Sequence, residues 1–228
     1  MPHPLDNPIW NALNTGSKMF SSGNENCRFL NSEMGFFAGM TNYEAGSIRQ
    51  LHSICQPGQK LILFPPGRIV VDNGWKVLND HELLQMVYTG SSNGMTQESN
   101  LTALGEDDVP AMLELVAMTK PGPFLSRTID FGGYFGINQG AQLVSMAGKR
   151  LSPDPFVELS AVCTHPDFGG MGLSYQVLQR VIHDIIQSGK VPFLHVYPEN
   201  LPAIKLYTKL GFEPRATLRT YFLEKIGV

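Results

Sequence analysis

The chain has 228 residues, 43% of them hydrophobic and 16% charged, and carries a formal net charge of −3. That is enough apolar material for one large core or two small ones. With no block of Lys or Arg, nothing favours a nucleic-acid or anionic-membrane surface, and neither is an expected partner.

The opening stretch "MPHPLDNPIWNALNTG" has neither a basic n-region nor an apolar h-region and reads as the start of a soluble, cytoplasmic protein. A short helix is predicted from Pro8, because proline suits a first turn. "YEAGSIRQLHSIC" reads as helical, "QKLILFPPG" as a buried strand stopped by two prolines, and "HELLQMVY" as either helix or strand. The polar run "TGSSNGMTQESN", residues 89–100, is a linker candidate. It separates a weakly patterned N-terminal α/β extension, residues 1–88, from a sharply patterned C-terminal domain, residues 101–228.

In the C-terminal part, "LGEDDVPAMLELVAMT" has acids at its start and Val109, Met112, Leu113 and Val116 at helical spacing. "GGYFGINQGAQLVSMAGKRL" predicts a hairpin about "NQG". "PFVELSAVCT" reads as a strand buried on both faces. From Leu173 the apolar positions Val177, Leu178, Val181, Ile182 and Ile185 define one helical face, closed by Ser188-Gly189. "VPFLHVY" is the next strand, "LPAIKLYTKLGF" a short helix with Pro202 in its first turn, and "TYFLEKI" a last strand. The whole reads as α+β, a mixed sheet with a parallel part.

Between a strand and a helix, Gly169, Gly170 and Gly172 almost adjoin. Amides of a first helical turn lack partners and favour negative charge, and glycines let a phosphate approach them. A tight connection without ligand is the alternative reading. The Walker and dinucleotide patterns both fail here: no Gly-Lys-Ser/Thr triplet occurs, and Tyr175 stands where a third glycine is due. "ELSAVCTHPDFGGMGLSYQVL" followed by "PFLHVYPENLPAIKLYTKLGF" resembles the GNAT superfamily of acetyl-coenzyme A-dependent N-acyltransferases, and looks most like bacterial members related to the glycine N-acyltransferase type. That family's turn reads Gln/Arg-x-x-Gly-x-Gly/Ala. Gly172 matches its central glycine, whereas Gly169 and Ser174 depart from its ends. The pattern Asn200-x-x-Ala203-x-x-x-Tyr207-x-x-x-Gly211-Phe212 matches downstream. The resemblance covers Leu101 to Val228, and a degenerate copy of such a half-sheet is one reading of residues 1–88.

The resemblance implies parallel fourth and fifth strands that splay apart, with acetyl-coenzyme A in the opening as co-substrate. Backbone groups of Val162 and Thr164, beside Cys163, would pair with its pantetheine arm. The pyrophosphate would lie on the amides of Gly169, Gly170, Met171, Gly172, Leu173 and Ser174, and Asn200 would add a contact as well as capping its helix. Amine acetylation needs a base for the amine and a proton for the departing thiolate. Glu158, which interrupts an apolar strand, is the candidate base, its basicity expected to be raised by burial; a strand-end glutamate paired with Arg or Lys is the structural alternative. Tyr207 is the candidate acid, the alternative being a packing tyrosine. His195 lines the acceptor site or sits satisfied in the core, and His165 shapes the turn before Pro166. Cys27, Cys55 and Cys163 form no CxxC pair and read as buried, reduced thiols. No metal spacing and no GxSxG elbow occurs. The expected function is N-acetyl transfer to a small-molecule amine or amino acid by a monomer or homodimer, with a catalytically silent acyl-coenzyme A sensor as the alternative. The N-terminal segment is expected to cover the acceptor end of the cleft.

Overall fold

A computed structural model describes residues 3–90 and 101–227. The expected linker therefore lies, from residue 91 on, outside the described residues. The chain runs α1 (Pro8–Asn14), β1 (Ser21–Gly23), β2 (Cys27–Leu30), β3 (Ala38–Met40), α2 (Ala45–Ile54), β4 (Lys60–Leu63) and β5 (Trp75–Tyr88). It continues through β6 (Leu101–Ala103), α3 (Val109–Thr119), β7 (Phe135–Gln139), β8 (Gln142–Lys149) and β9 (Phe156–Thr164). Then come α4 (Leu173–Gln187), β10 (Val191–Val196), α5 (Leu201–Lys209) and β11 (Phe212–Lys225).

Among the described residues, eight strands form one mixed sheet in the order β4-β11-β5-β10-β9-β8-β7-β6, beside a small antiparallel sheet β1-β2-β3. Strand β5, from the N-terminal stretch, lies between β10 and β11, both from the C-terminal stretch. Residues before and after 89–100 thus build the same sheet. "HELLQMVY" resolves as strand, with Leu83 and Met86 buried and its backbone paired on both sides. The last strand begins eight residues before "TYFLEKI", directly after the α5 helix and Gly211. Pro214 stands at a shift in the β11–β5 register, where a missing N–H disturbs the ladder least.

The two faces of β8 and β9 carry different layers. Val144, Ala147, Val157 and Leu159 pack with Val177, Leu178, Val181 and Ile182 of α4. Leu143, Met146, Ala161 and Cys163 pack with Met112 and Leu115 of α3. Strand β9 is buried on both faces, as its unbroken apolar run requires.

The parallel pair β9–β10 is short. Phe156 stands opposite Val191 and Glu158 opposite Phe193, and the pairing ends there. Beyond that point β9 stays with β8 as far as Thr164 opposite Ser145, while β10 stays with β5 as far as Val196 opposite Leu84. One sheet therefore opens into two halves between Glu158 and Thr164. Ala161, at φ 53°, sits at the bulge in β9 where the β8 register shifts. A bulge of this kind bends its strand and increases its twist, which carries β9 away from β10.

Candidate active site

The opening between β9 and β10 leads into a cavity of about 180 Å³. Leu159, Ser160, Ala161 and Val162 line it from β9, and His195 and Val196 from β10. Asn200 and Tyr207 reach it from the N-cap and the body of α5. Further wall comes from Phe37, Ile62, Phe64 and Leu83, all before residue 89, from Arg150 just after β8, and from Thr220 of β11. Exposed Gly122, Pro123 and Tyr197 form its rim.

Along β9, the His165 amide donates to Val144 O and the Cys163 carbonyl accepts from Ser145 Oγ, so both point toward β8. Strand alternation then turns the backbone groups of Val162 and Thr164 toward the opening. At the end of β9, the Thr164 hydroxyl lies 2.8 Å from Ser145 Oγ and 2.6 Å from Ser174 Oγ. This chain of hydroxyls ties β8, β9 and the first turn of α4 together, and it occupies the Ser174 hydroxyl.

Gly170 and Gly172 both have φ 77°, the left-handed region that favours glycine, and a Cβ on either would meet nothing within 4 Å. Gly169 differs, with φ −62°, ψ 146°, an ordinary extended conformation. Gly172 is the N-cap of the 15-residue α4 and offers no side chain to the first-turn amides. Those amides receive no side-chain cap, and the space a Cβ would take at Gly170 or Gly172 is open. Exposed Met171 lies between them. His165 Nδ1 accepts the Asp167 amide at 3.2 Å, capping the short turn before the glycines.

Glu158 is fully buried and tightly engaged. Arg150 Nε donates to Oε2 at 2.9 Å and Nη2 to Oε1 at 2.7 Å. His195 Nδ1 stands 2.7 Å from Oε1. Burial pushes the carboxyl pKa up, but the charge of Arg150 and the hydrogen bonds from His195 and Arg150 together outweigh it and hold the group at about 2. This corrects the expected raised basicity: Glu158 is a weakly basic carboxylate in a bidentate ion pair, and Arg150 and His195, not Glu158, reach the cavity wall. The network extends further. Arg215 Nη1 donates to Gln85 Oε1 at 2.7 Å, and Gln85 Nε2 donates to Leu5 O at 3.0 Å and meets His195 Nε2 at 3.0 Å. With the Gln85 oxygen taken by Arg215, its amide N–H faces Nε2. The His195 ring proton is thereby placed on Nδ1, where it donates to Glu158.

Burial pushes the Tyr207 phenol up to about 12, so it keeps its proton through neutral pH. Burial likewise pushes the Cys163 thiol up to about 11, away from thiolate chemistry. All three cysteines are free and buried. No helix among the described residues is long and apolar enough to cross a membrane, and among those residues no group of His, Cys, Asp or Glu could hold a metal ion.

Arg150 and Gln85 were not among the sequence candidates. The available signal was a row of polar interruptions in three apolar strands, Glu158, His195 and Gln85. The register sets His195 opposite Gln85, and Glu158 opposite Phe193, two residues before His195.

A family model described as FR47-like protein matches residues 134–223. A solved structure from Novosphingobium aromaticivorans, assigned to the GNAT family of acetyltransferases, is 34% identical. The match covers 99% of this chain and 100% of that one, with a TM-score of 0.92. Two more distant structures share the fold. A GCN5-related N-acetyltransferase from Kribbella flavida is 16% identical over 96% of each chain, with a TM-score of 0.62. A GCN5-related N-acetyltransferase-like protein from Streptococcus suis is 18% identical over 89% of this chain and 82% of its own, with a TM-score of 0.54. No curated protein matches the sequence.

Proposed function

Because the chain belongs to the GNAT family of acetyltransferases, we propose that it moves an acetyl group from acetyl-coenzyme A to the primary amine of a small molecule or amino acid, directly within one ternary complex. The observation that carries this reading is the parting of β9 from β10 after Glu158 and Phe193, with Tyr207 and Asn200 on the wall of the cavity it opens. In this reading the backbone of Val162 and Thr164 pairs with the pantetheine arm. The amides at Gly170 to Ser174 hold the pyrophosphate, and Asn200 contributes from its N-cap.

The amine nitrogen attacks the thioester carbonyl, the C–S bond breaks, and the sulfur leaves as a thiolate that takes the Tyr207 proton. The phenolate then takes the proton that the nitrogen has to lose. The amine enters uncharged, since among the described residues the cavity wall carries no unpaired carboxylate to meet an ammonium, and desolvation disfavours the charged form. Glu158 acts here as a positioning residue: it neutralises Arg150 and fixes the His195 ring. The likeness to the bacterial glycine N-acyltransferase-type branch, and a cytoplasmic monomer or homodimer, belong to the same proposal and rest on the sequence pattern.

Titration calorimetry with acetyl-coenzyme A, followed by measurement of free thiol release against a panel of amines, tests this reading. Saturable binding with amine-dependent thiol release supports it, and absence of binding overturns it. A second reading, a catalytically silent acyl-coenzyme A sensor, is favoured by the weak basicity of the clamped Glu158. Binding without thiol release to any amine would select it.

A further inference from the structure

The cavity has two unlike ends. Toward β9 and α5 it presents Val162, Asn200 and Tyr207, which the proposed function assigns to the coenzyme. Away from them it is closed by Phe37, Ile62, Phe64 and Leu83, each no more than 6% exposed, which come from the N-terminal stretch. The Phe37 and Phe64 rings meet edge to face at 5.7 Å, and Phe64 meets His195 at 4.9 Å. The guanidinium of Arg150 lies over Phe37 at 4.7 Å, and its charge is already matched by both oxygens of Glu158. Both nitrogens of His195 are engaged with Glu158 and Gln85. Among the described residues this end is therefore rich in aromatic rings and without an uncompensated charge. The whole cavity, coenzyme end included, is about 180 Å³; since an apolar cavity of about 150 Å³ takes up benzene, a single ring is the largest body its closed end can seat.

Resting on the acetyltransferase reading, we propose that the acceptor is a primary amine borne on a ring-sized apolar body, which seats between Phe64, Ile62 and Leu83 while the nitrogen points toward Tyr207. Among the described residues the wall offers a second ammonium no carboxylate partner, so desolvation disfavours polyamines. A glycine-sized amine leaves the aromatic end unfilled and gains nothing from it. Selectivity then resides in the N-terminal stretch, whose strands are built into the sheet beside the coenzyme half.

The test measures thiol release with 2-phenylethylamine, glycine and spermidine on the full chain, alongside calorimetry with acetyl-coenzyme A. The expected result is a kcat/KM for 2-phenylethylamine about tenfold or more above the other two, the value of burying an apolar ring. Leu83→Phe, which fills the pocket, should abolish that preference while acetyl-coenzyme A affinity stays unchanged. Phe64→Leu provides a second variant should the first fail to fold, and should narrow the preference. Equal or better use of glycine or spermidine overturns the acceptor class and leaves acetyl transfer standing. Coenzyme binding with no transfer to 2-phenylethylamine overturns the acceptor class, as does a preference unaltered in a variant that still binds the coenzyme. Failure of the wild-type chain to bind acetyl-coenzyme A overturns the underlying reading as well.

Discussion

Arg150 holds Glu158 through two parallel hydrogen bonds, Nε to Oε2 at 2.9 Å and Nη2 to Oε1 at 2.7 Å, in the middle of the sheet where it begins to open. Both residues follow from local pairing: the Arg150 amide donates to the Glu158 carbonyl, and the Glu158 amide donates to the Leu151 carbonyl. The backbone ladder thus sets the guanidinium beside the carboxylate before any side chain is considered.

That pair has consequences for stability. Glu158→Gln leaves Arg150 buried without its counter-charge, and breaking such a pair costs about 3 kcal/mol or more. The folded-state pKa of Glu158 lies below its ordinary value of 4.5, at about 2. Its contribution is therefore complete above pH 4.5 and is lost as the pH falls toward 2. Denaturant midpoints measured from pH 7 down to pH 2 should show this acid limb in the wild-type chain and a flatter one in the variant. An identical limb in both would remove Glu158 from the acid response. Turnover should fall in the variant through displacement of His195, without the loss of a rate-controlling ionisation.

Tyr207 carries the proton in the proposed transfer, so Tyr207→Phe should lower kcat by roughly 10²-fold, within the range for general acid–base groups. Acetyl-coenzyme A affinity should stay near wild type, since the ring and its packing remain. Pre-steady-state thiol release would locate the loss in the chemical step. Full activity would leave Tyr207 as a packing residue against Phe212, which its ring meets at 6.2 Å.

How much of this arrangement could be read from the sequence depends on the length scale of the interactions. The α4 helix, its glycine turn and the hairpin of β7 and β8 follow from spacing and turn residues, and each stands where the pattern predicts. The first half of β11 was hidden because "EPRATLR" combines a proline with charges; it is strand only because Pro214 falls at a bulge and β5 lies alongside. The place of β5 between β10 and β11 joins residues more than 100 positions apart, for which no local pattern exists. Glu158 was visible as a polar interruption, but its partner was not. The sign of its pKa shift turns on Arg150, and burial alone suggested the opposite.

Ala161 holds the bulge at which β9 leaves β10, with φ 53°. A β-branched side chain tolerates that region worse than alanine does. Ala161→Val should therefore cost about 1 kcal/mol, or roughly 2–4 °C in Tm for a chain of this size. Ala161→Gly should relieve the backbone and leave Tm near or above wild type. If valine is accepted without a change in Tm, the bulge is not strained, and the opening must be set by the separate pairing of β9 with β8 and of β10 with β5.

The glycines of the turn divide by conformation. At Gly172, with φ 77°, a substitution to Val is strained by about 1–2 kcal/mol and sets a side chain in the open space beside the first-turn amides of α4. At Gly169, with φ −62°, any residue can adopt the backbone, and a Cβ meets only Pro166 O, at 3.2 Å. Calorimetry with acetyl-coenzyme A should therefore show Gly172→Val weakened by roughly tenfold or more, about 1.4 kcal/mol, and Gly169→Ala close to wild type. Equal weakening in both would mean that the turn responds as a unit to any added side chain. Unchanged binding in Gly172→Val would place the phosphates away from the α4 amides and reduce these glycines to a device for turning the chain.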